Sequence, residues 1–561
     1  MLRNLFFGIL ILTVSNLSAQ IKFNSDKITK ITYQIRYNGN TDENQNPIWV
    51  FADKENALIT NRNDFTEKGN YPFEMTFVQP NEKKYEQFAF LNSTESVSML
   101  DEESIGKQEF ELLNETKKIL GYTCKKAKTS INSNTIEIWY TNDLNIKCGP
   151  SVLGQNLGLV LELVRNGNYQ IKATEIKKEK TKLPAFISNV NPTELAKIDY
   201  QDKIWKSRFT MIPVFDNQLI HWSEEFEPRE NIMRFANGTI AVKKIKFPKL
   251  NANHQIFVDL TEQSNGDAYD RTGTVFLIPT DKQHSFLDGL ENGADKLPIY
   301  ENGNGKKYRG VTATENYNPL VELMRFFTPF GVKHFNDRLT LKGKIWQDLV
   351  MYRQEITQFA SLMSEKEVYI GTFIGNYDKG GHKISMNITI HNDESSEKPL
   401  KKVVPLFNTL NVMEMAGQEY ATMFDSEKGL EVEFELKEDL KNAQLRYTTT
   451  GHGGWENGDE FVAKKNTILL DGKIVFDLIP WREDCGSYRL YNPVSGNFGN
   501  GLSSSDYSRS NWCPATVTNP FIIDLGDLKS GKHKIQVKIQ QGKPEGGSFS
   551  SWNVSGVLVG E

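Results

Sequence analysis

Three short stretches of this 561-residue chain hold side chains suited to hydrolytic chemistry. The first is Gly266-Asp267-Ala268-Tyr269-Asp270-Arg271, which runs directly into Thr272-Gly273-Thr274-Val275-Phe276-Leu277. The second part reads as a strand, so both acids sit in the turn that enters it. Of two carboxylates three residues apart, an adjacent arginine can hold one ionised and oriented while the other crowds it. The same pattern also suits an ordinary Asx-type turn capping a strand. The second stretch is Leu445-Arg446-Tyr447-Thr448-Thr449-Thr450-Gly451-His452-Gly453-Gly454-Trp455. It leads through Asp459 to Glu460 and then to the strand-like run Asn466-Thr467-Ile468-Leu469-Leu470. Glycines around an aromatic ring and a carboxylate let a sugar approach the backbone closely. A plain Gly-rich hairpin loop is the simpler reading of the same residues. In the third stretch Cys485 opens a polar loop that Ser508-Arg509-Ser510-Asn511-Trp512-Cys513-Pro514 closes. A disulfide there would pin Arg509 and Trp512.

Strands must position these groups. Long helical patterns are scarce, and the apolar stretches are short, β-branched or aromatic, and alternating, as in ITYQIRY (31–37), TIEIWY (135–140), GTVFLI (273–278) and HKISMNITI (382–390). Asn, Asp and Gly gather between them, which is the pattern of an all-β chain built from sandwiches. An N-terminal region of about 20–185 ends in the charged run Lys177 to Lys182 and a Pro184/Pro192 linker. A second region is expected over 199–392. A third, over 400–561, follows the polar stretch that begins at Asp393. Each of the last two is long enough for a jelly-roll-sized sandwich.

The first residues bear on the compartment. Met1-Leu2-Arg3-Asn4, the apolar run Leu5 to Val14 and the polar stretch ending at Ala19 read as a signal peptide over residues 1–19. The apolar run is shorter than the roughly 20 residues a bilayer span requires. An exported chain without a transmembrane anchor is expected. Four cysteines in such a chain favour two disulfides. Three pairings are possible, and Cys124–Cys148 with Cys485–Cys513 are the local ones. A formal net charge of -5 gives no electrostatic support to a nucleic-acid partner. No CxxC or Cys/His cluster and no paired-histidine spacing exists, so neither structural zinc nor a copper site is expected. With no G-x-S-x-G and only 8 histidines, a serine hydrolase is disfavoured.

Taken in order, these motifs resemble the peptide N-glycosidase F family over about residues 205–561. The family shows a Leu-Arg-x-Thr-Thr strand, a Gly-rich turn, a carboxylate before a Thr-Ile strand and a Cys-bounded loop ending in Arg-x-x-Trp-Cys-Pro. Asp267-x-x-Asp270-Arg271, Arg325-Phe326-Phe327-Thr328-Pro329-Phe330 and Glu355-Ile356-Thr357-Gln358-Phe359 complete the likeness. The resemblance implies an all-β fold of two consecutive antiparallel jelly-roll β-sandwiches behind a separate, mainly-β N-terminal domain. It implies a catalytic pair, Asp270 and Glu460, with Asp267, Arg271 and Arg509 around the substrate. His452 stands where the family has a turn tryptophan, and Trp455 and Trp512 are the rings available to stack on sugars. The family's other glutamate lies in a Tyr-Thr-Glu-Thr-Trp strand, whereas Gly371-Thr372-Phe373-Ile374-Gly375 here carries no acid; Asp348 and Asp378 are the candidates to replace it. Around Ile119 to Ala127, Glu137 to Thr141 and Gly154 to Leu161 the N-terminal region resembles GLPGLI domains.

The expected reaction is hydrolysis of the amide joining an N-glycan to asparagine, which leaves aspartate and a glycosylamine and requires no cofactor or metal. N-glycosylated proteins or glycopeptides are the expected partners, and a monomer is expected. Two alternatives stay open. Paired carboxylates also cleave glycosidic bonds, and a non-catalytic glycan-binding double sandwich fits the missing glutamate.

Overall fold

Alternation in the sequence becomes strands almost throughout the computed structural model. It describes residues 21–561 apart from 22, 24–27, 42–44, 181–182, 225–228, 230, 332–341, 344, 392–398, 419–421, 454–457, 494–502 and 543–549. The expected signal segment, most of the polar stretch from Asp393 and the candidate ring Trp455 lie outside the described residues. Contacts divide the chain into two units that meet at Arg208 and Phe209.

The N-terminal unit holds one sheet, of 13 strands among the described residues. Strand Ile28–Tyr37 lies in its interior, antiparallel to Ile48–Ala52 on one side and to Tyr169–Glu179 on the other. Ile31, Tyr33, Val50 and Ala173 form part of its core. Helix Lys197–Ser207 buries Tyr200 and Ile204 in the same core. The helix thus belongs to the first unit, and the second unit starts at Phe209.

One expected disulfide is absent from this unit: Cys124 and Cys148 are buried and unbonded. Cys124 lies on strand Tyr122–Ile131, which pairs with Asn134–Thr141. That strand pairs in turn with Leu159–Arg165, and Cys148 bridges Leu159. Two strands thus stand between the cysteines. At a spacing of about 4.8 Å per strand, their Cα atoms lie beyond the ~7 Å limit for a bridge. Burial pushes the Cys124 thiol up to about 11, so it stays protonated.

The second unit stacks two sandwiches, and every strand pairing described in it is antiparallel. The first sandwich has a four-stranded sheet, Phe209–Ile220, His382–His391, Gln255–Ser264 and Val350–Glu355 in spatial order. It faces a six-stranded sheet that includes Glu367–Ile374, Thr272–Ile278 and Val321–Phe327. The second sandwich has two four-stranded sheets, one built around Ser551–Gly560 and Leu440–His452, the other around Gly531–Ile539 and Asn466–Leu470.

Apolar packing and one strand tie the sandwiches together. Val557 and Val559 of the last strand pack into the first sandwich's core, and Val517–Thr518 pairs with Val321–Phe327. A buried ion pair reinforces the seam. Arg325 meets Glu322 through Nε (2.9 Å) and Nη2 (2.8 Å), while its Nη1 donates to Thr450 Oγ1 and to the Asn553 carbonyl across the boundary. Losing either member would leave a buried charge uncompensated, a cost of about 3–5 kcal/mol. The cleft between the sandwiches is therefore built on a fixed floor.

Candidate active site

The turn 265–271 is rigid for reasons that can be named. Asp267 is fully enclosed, and its Oδ1 accepts the Tyr269 N–H at 3.1 Å, so the Asx-type reading of this turn is correct. The turn also carries more. Arg271 grips both Asp267 oxygens, Nε to Oδ2 at 2.8 Å and Nη2 to Oδ1 at 3.1 Å. Thr328, from the Arg-Phe-Phe-Thr-Pro-Phe motif, accepts the Arg271 N–H at 2.8 Å and returns its own N–H to the Arg271 carbonyl. Gly331 passes so close that a Cβ there would lie 1.8 Å from the Asp267 carbonyl oxygen, so only glycine fits. Burial pushes the Asp267 carboxyl up, but the Arg271 fork and the nearby His382 outweigh it and hold the carboxyl well below the usual range. Asp267 is therefore held ionised and orients Arg271.

Asp270 has the opposite environment. Its Oδ2 accepts from Arg509 Nη1 at 2.9 Å, and the same nitrogen donates to Glu460 Oε1 at 2.5 Å. One acid comes from each sandwich, and a single buried guanidinium joins them. Arg509 is 1% exposed, with its guanidinium carbon 4.3 Å from the Trp512 ring centroid and 5.1 Å from that of Phe461. Its backbone is set by paired hydrogen bonds with Arg482, and the Glu460 carbonyl accepts the Ser510 N–H at 2.9 Å. The Cys485–Cys513 disulfide closes this loop as expected. Burial raises both carboxyls despite Arg509. For Glu460 the charge of Asp270 adds to burial and the group is pushed up to about 7; burial raises Asp270 as well. Two acids sharing one cation in a desolvated place titrate as a pair, with one proton between them near neutrality.

A cavity of about 230 Å³ opens beside Asp270 and Arg271, walled across the cleft by His452, Asn553 and Glu414. Tyr269 and Tyr377, 59% and 51% exposed, flank the Arg271 guanidinium with ring centroids 5.2 and 5.6 Å away. His452 borders the cavity, bonded to Thr450 Oγ1 at 2.8 Å. Burial, with the charges of Arg325 and Arg509, lowers it to about 3, so it is neutral at working pH.

Some expectations change. Trp512 is only 3% exposed, stacked on Phe327 at 4.2 Å with its N–H given to the Gly451 carbonyl. It supports Arg509 from within and is not open to a sugar. Asp348 accepts from Gln263, and Asp378 caps the N–H groups of Gly380 and Gly381. Neither lines the cavity. The additional acid there is Glu414, from a 3-10 turn, Glu414–Ala416, that no sequence motif marks.

A carboxylate pair with one acid from each β-sandwich, bridged by a buried arginine, is an arrangement suited to acid–base hydrolysis. Comparison with known proteins narrows the class. Residues 31–202 match the family model "N-glycanase peptide, N-terminal domain". Residues 211–390 match "Peptide-N-glycosidase F, N terminal", and residues 419–559 match "Peptide-N-glycosidase F, C terminal". A solved structure of PNGF-II in space group P21 is 55% identical, spans 95% of this chain and 99% of its own, and superposes with a TM-score of 0.89. The C2 form gives 54%, 95%, 98% and 0.83. No curated protein matches by sequence. The chain belongs to the peptide N-glycosidase F family. For the N-terminal unit, the N-glycanase model is the match found where the sequence suggested a GLPGLI domain.

Proposed function

We propose that this chain hydrolyses the amide between the first N-acetylglucosamine and asparagine in N-glycosylated proteins or peptides. The observation that supports this most is the Arg509 nitrogen shared by Glu460 and by Asp270, the one of the three that lines the cavity. Amide hydrolysis needs an activated water, donors for the developing oxyanion and a proton for the leaving amine. Asp270 removes the proton from the attacking water, whose oxygen bonds to the amide carbon. Arg271, held by Asp267, donates to the carbonyl oxygen as it gains charge. Glu460, protonated up to about pH 7, supplies the proton with which the amine departs as a glycosylamine. Aspartate remains in the peptide. The scheme uses no metal or organic cofactor.

Glu414 stands for the acid absent from Gly371–Gly375, reaching the cavity from the second sandwich. Tyr269 and Tyr377 offer the sugar faces that Trp512 cannot. The Cys485–Cys513 bridge fits an exported protein, periplasmic or extracellular, because disulfides persist in oxidising compartments.

The test is mass spectrometry of an N-glycopeptide treated in heavy-oxygen water, with Asp270→Asn beside it. Glycan release with one heavy oxygen in the new aspartate, absent in the variant, supports the proposal. Unlabelled asparagine, bare or bearing one sugar, would mean a glycosidase, and a bound but uncut glycopeptide would mean a lectin.

A further inference from the structure

Two neighbouring strands of the first sandwich end their apolar inner stripes in charge. Along Gln255–Ser264 the inward positions run Ile256, Val258, Leu260, Glu262 and Ser264, and along His382–His391 the stripe begins with His382 before Ile384 and Met386. The register sets Ser264 opposite His382 and Glu262 opposite Ile384, so Glu262 and His382 are diagonal neighbours on one face. Their side chains meet, with Nδ1 2.7 Å from Glu262 Oε1. The other ring nitrogen lies 3.4 Å from Asp267 Oδ2, and all three side chains are no more than 1% exposed.

A neutral imidazole has one N–H and no charge; an imidazolium donates to Glu262 through Nδ1 and sets its second N–H and its charge beside Asp267 as an ion pair. Burial alone would drive the proton off, but the two carboxylates outweigh it and raise the group to about 9. From Asp267 the line continues through two hydrogen bonds to Arg271 in the cavity wall. The hydrolytic scheme above makes no use of His382 or Glu262. Nor do the other titratable neighbours take a nitrogen of His382. Tyr352, on the adjoining strand, donates to the Phe327 carbonyl. His221 sits 2.9 Å from the Lys379 carbonyl, and Asp378 caps its own turn.

We propose that His382, clamped as an imidazolium between Glu262 and Asp267, is a positioning residue that fixes Arg271 for the reaction. The inference rests on the amidase reading for its effect on rate, and on geometry alone for its effect on Arg271. When His382 loses its proton, the Asp267 carboxylate loses the second cation that orients it, and the Arg271 fork it holds is fixed less firmly. Activity should therefore fall with rising pH in two steps, the second through about 9.

The experiment compares the full chain with His382→Gln and with Glu262→Gln, which keeps a hydrogen-bond acceptor but removes the charge. Each is read by thermal melting, by kcat and KM against pH on a glycopeptide, and by the 15N resonance of the Arg271 Nε–H. In His382→Gln, kcat should drop about 10- to 100-fold with little change in KM, by analogy with lost outer partners of a positioned group. The second pH step and the sharp Arg271 signal should disappear. Glu262→Gln should retain most of the wild-type rate below pH 7 while moving both readouts to lower pH by a unit or more. An Arg271 resonance and a pH profile unchanged in folded variants of both would overturn the proposal and leave His382 a structural residue. If the wild type cuts no glycopeptide, the amidase reading fails, and the Arg271 resonance still decides this one.

Discussion

Two histidines stand on opposite sides of the cleft, and they carry opposite charge. His382, in the first sandwich, is fully buried between Glu262 and Asp267 and is raised to about 9. His452, in the second, borders the cavity within the fields of Arg325 and Arg509 and is lowered to about 3. Desolvation pushes both toward the neutral form. At His452 burial is the largest cause and two guanidinium groups add to it; at His382 two carboxylates overturn it. The same division runs through the acids of the turn 265–271. Asp267, on the His382 side, is held ionised as an orienting group; Asp270, three residues on, is pushed toward sharing a proton with Glu460. Charge is thus fixed behind the site and mobile only at its front.

The contrast is broken most severely by Arg509→Met. It removes a charge that keeps His452 neutral and leaves Asp270 and Glu460 buried without their cation. A loss of about a thousandfold or more in kcat/KM is expected, with a drop of about 3–5 kcal/mol in unfolding free energy. Rate assays and denaturant titration measure both, and retention of more than a tenth of the activity would refute the shared-cation site.

Next comes Glu460→Gln. A general acid contributes about 10²–10⁴-fold, and the wild-type loss of activity as pH rises through about 7 should vanish in the variant. A variant profile that keeps this limb would assign the limb to another group.

Stability against pH sharpens the comparison between the histidines. His382 is raised in the fold, so its stabilisation is complete below about 6.5 and is lost as pH climbs through about 9. The amount at stake is up to about 3 kcal/mol. His452 is lowered, so its contribution is present above about 6.5 and is lost as pH falls toward about 3. Melting curves should accordingly flatten on the alkaline side in His382→Gln and on the acid side in His452→Phe. Identical alkaline slopes in wild type and His382→Gln would contradict the charge assigned to His382.

A last test, without effect on the charges of the site, concerns sulfur. Removing the disulfide with Cys485→Ser and Cys513→Ser should cost about 2–4 kcal/mol. Thiol titration of the wild type should find no reactive sulfhydryl in the native protein and two after denaturation, because Cys124 and Cys148 are buried and unbonded. Four bonded sulfurs would reverse that correction.

Part of this site could be read along the chain. Asp270, Glu460 and Arg509 stand out as charged residues in Gly- and Cys-bounded loops, and their order with Thr328 and Trp512 carried the family resemblance. Glu262 and His382 also left a trace, since each occupies an inward position in an otherwise apolar alternation. Glu414 left none, because Met413-Glu414-Met415-Ala416 reads as an ordinary surface turn. Trp512 misled for a physical reason: an aromatic beside a loop arginine suits a sugar platform or a buried support equally well, and only packing on Phe327 separates them.

The sequence by itself determined the alternation that makes strands, the division into an N-terminal region and two sandwiches, the turn acids and the cysteine-bounded loop. These depend on local pattern, which a chain carries residue by residue. Only the tertiary structure decided that Asp270 and Glu460 meet on one nitrogen of Arg509, that two strands keep Cys124 from Cys148, and that one histidine is charged while the other is neutral. Each of those is set by groups tens to hundreds of residues away along the chain, brought together in a medium where water no longer screens them.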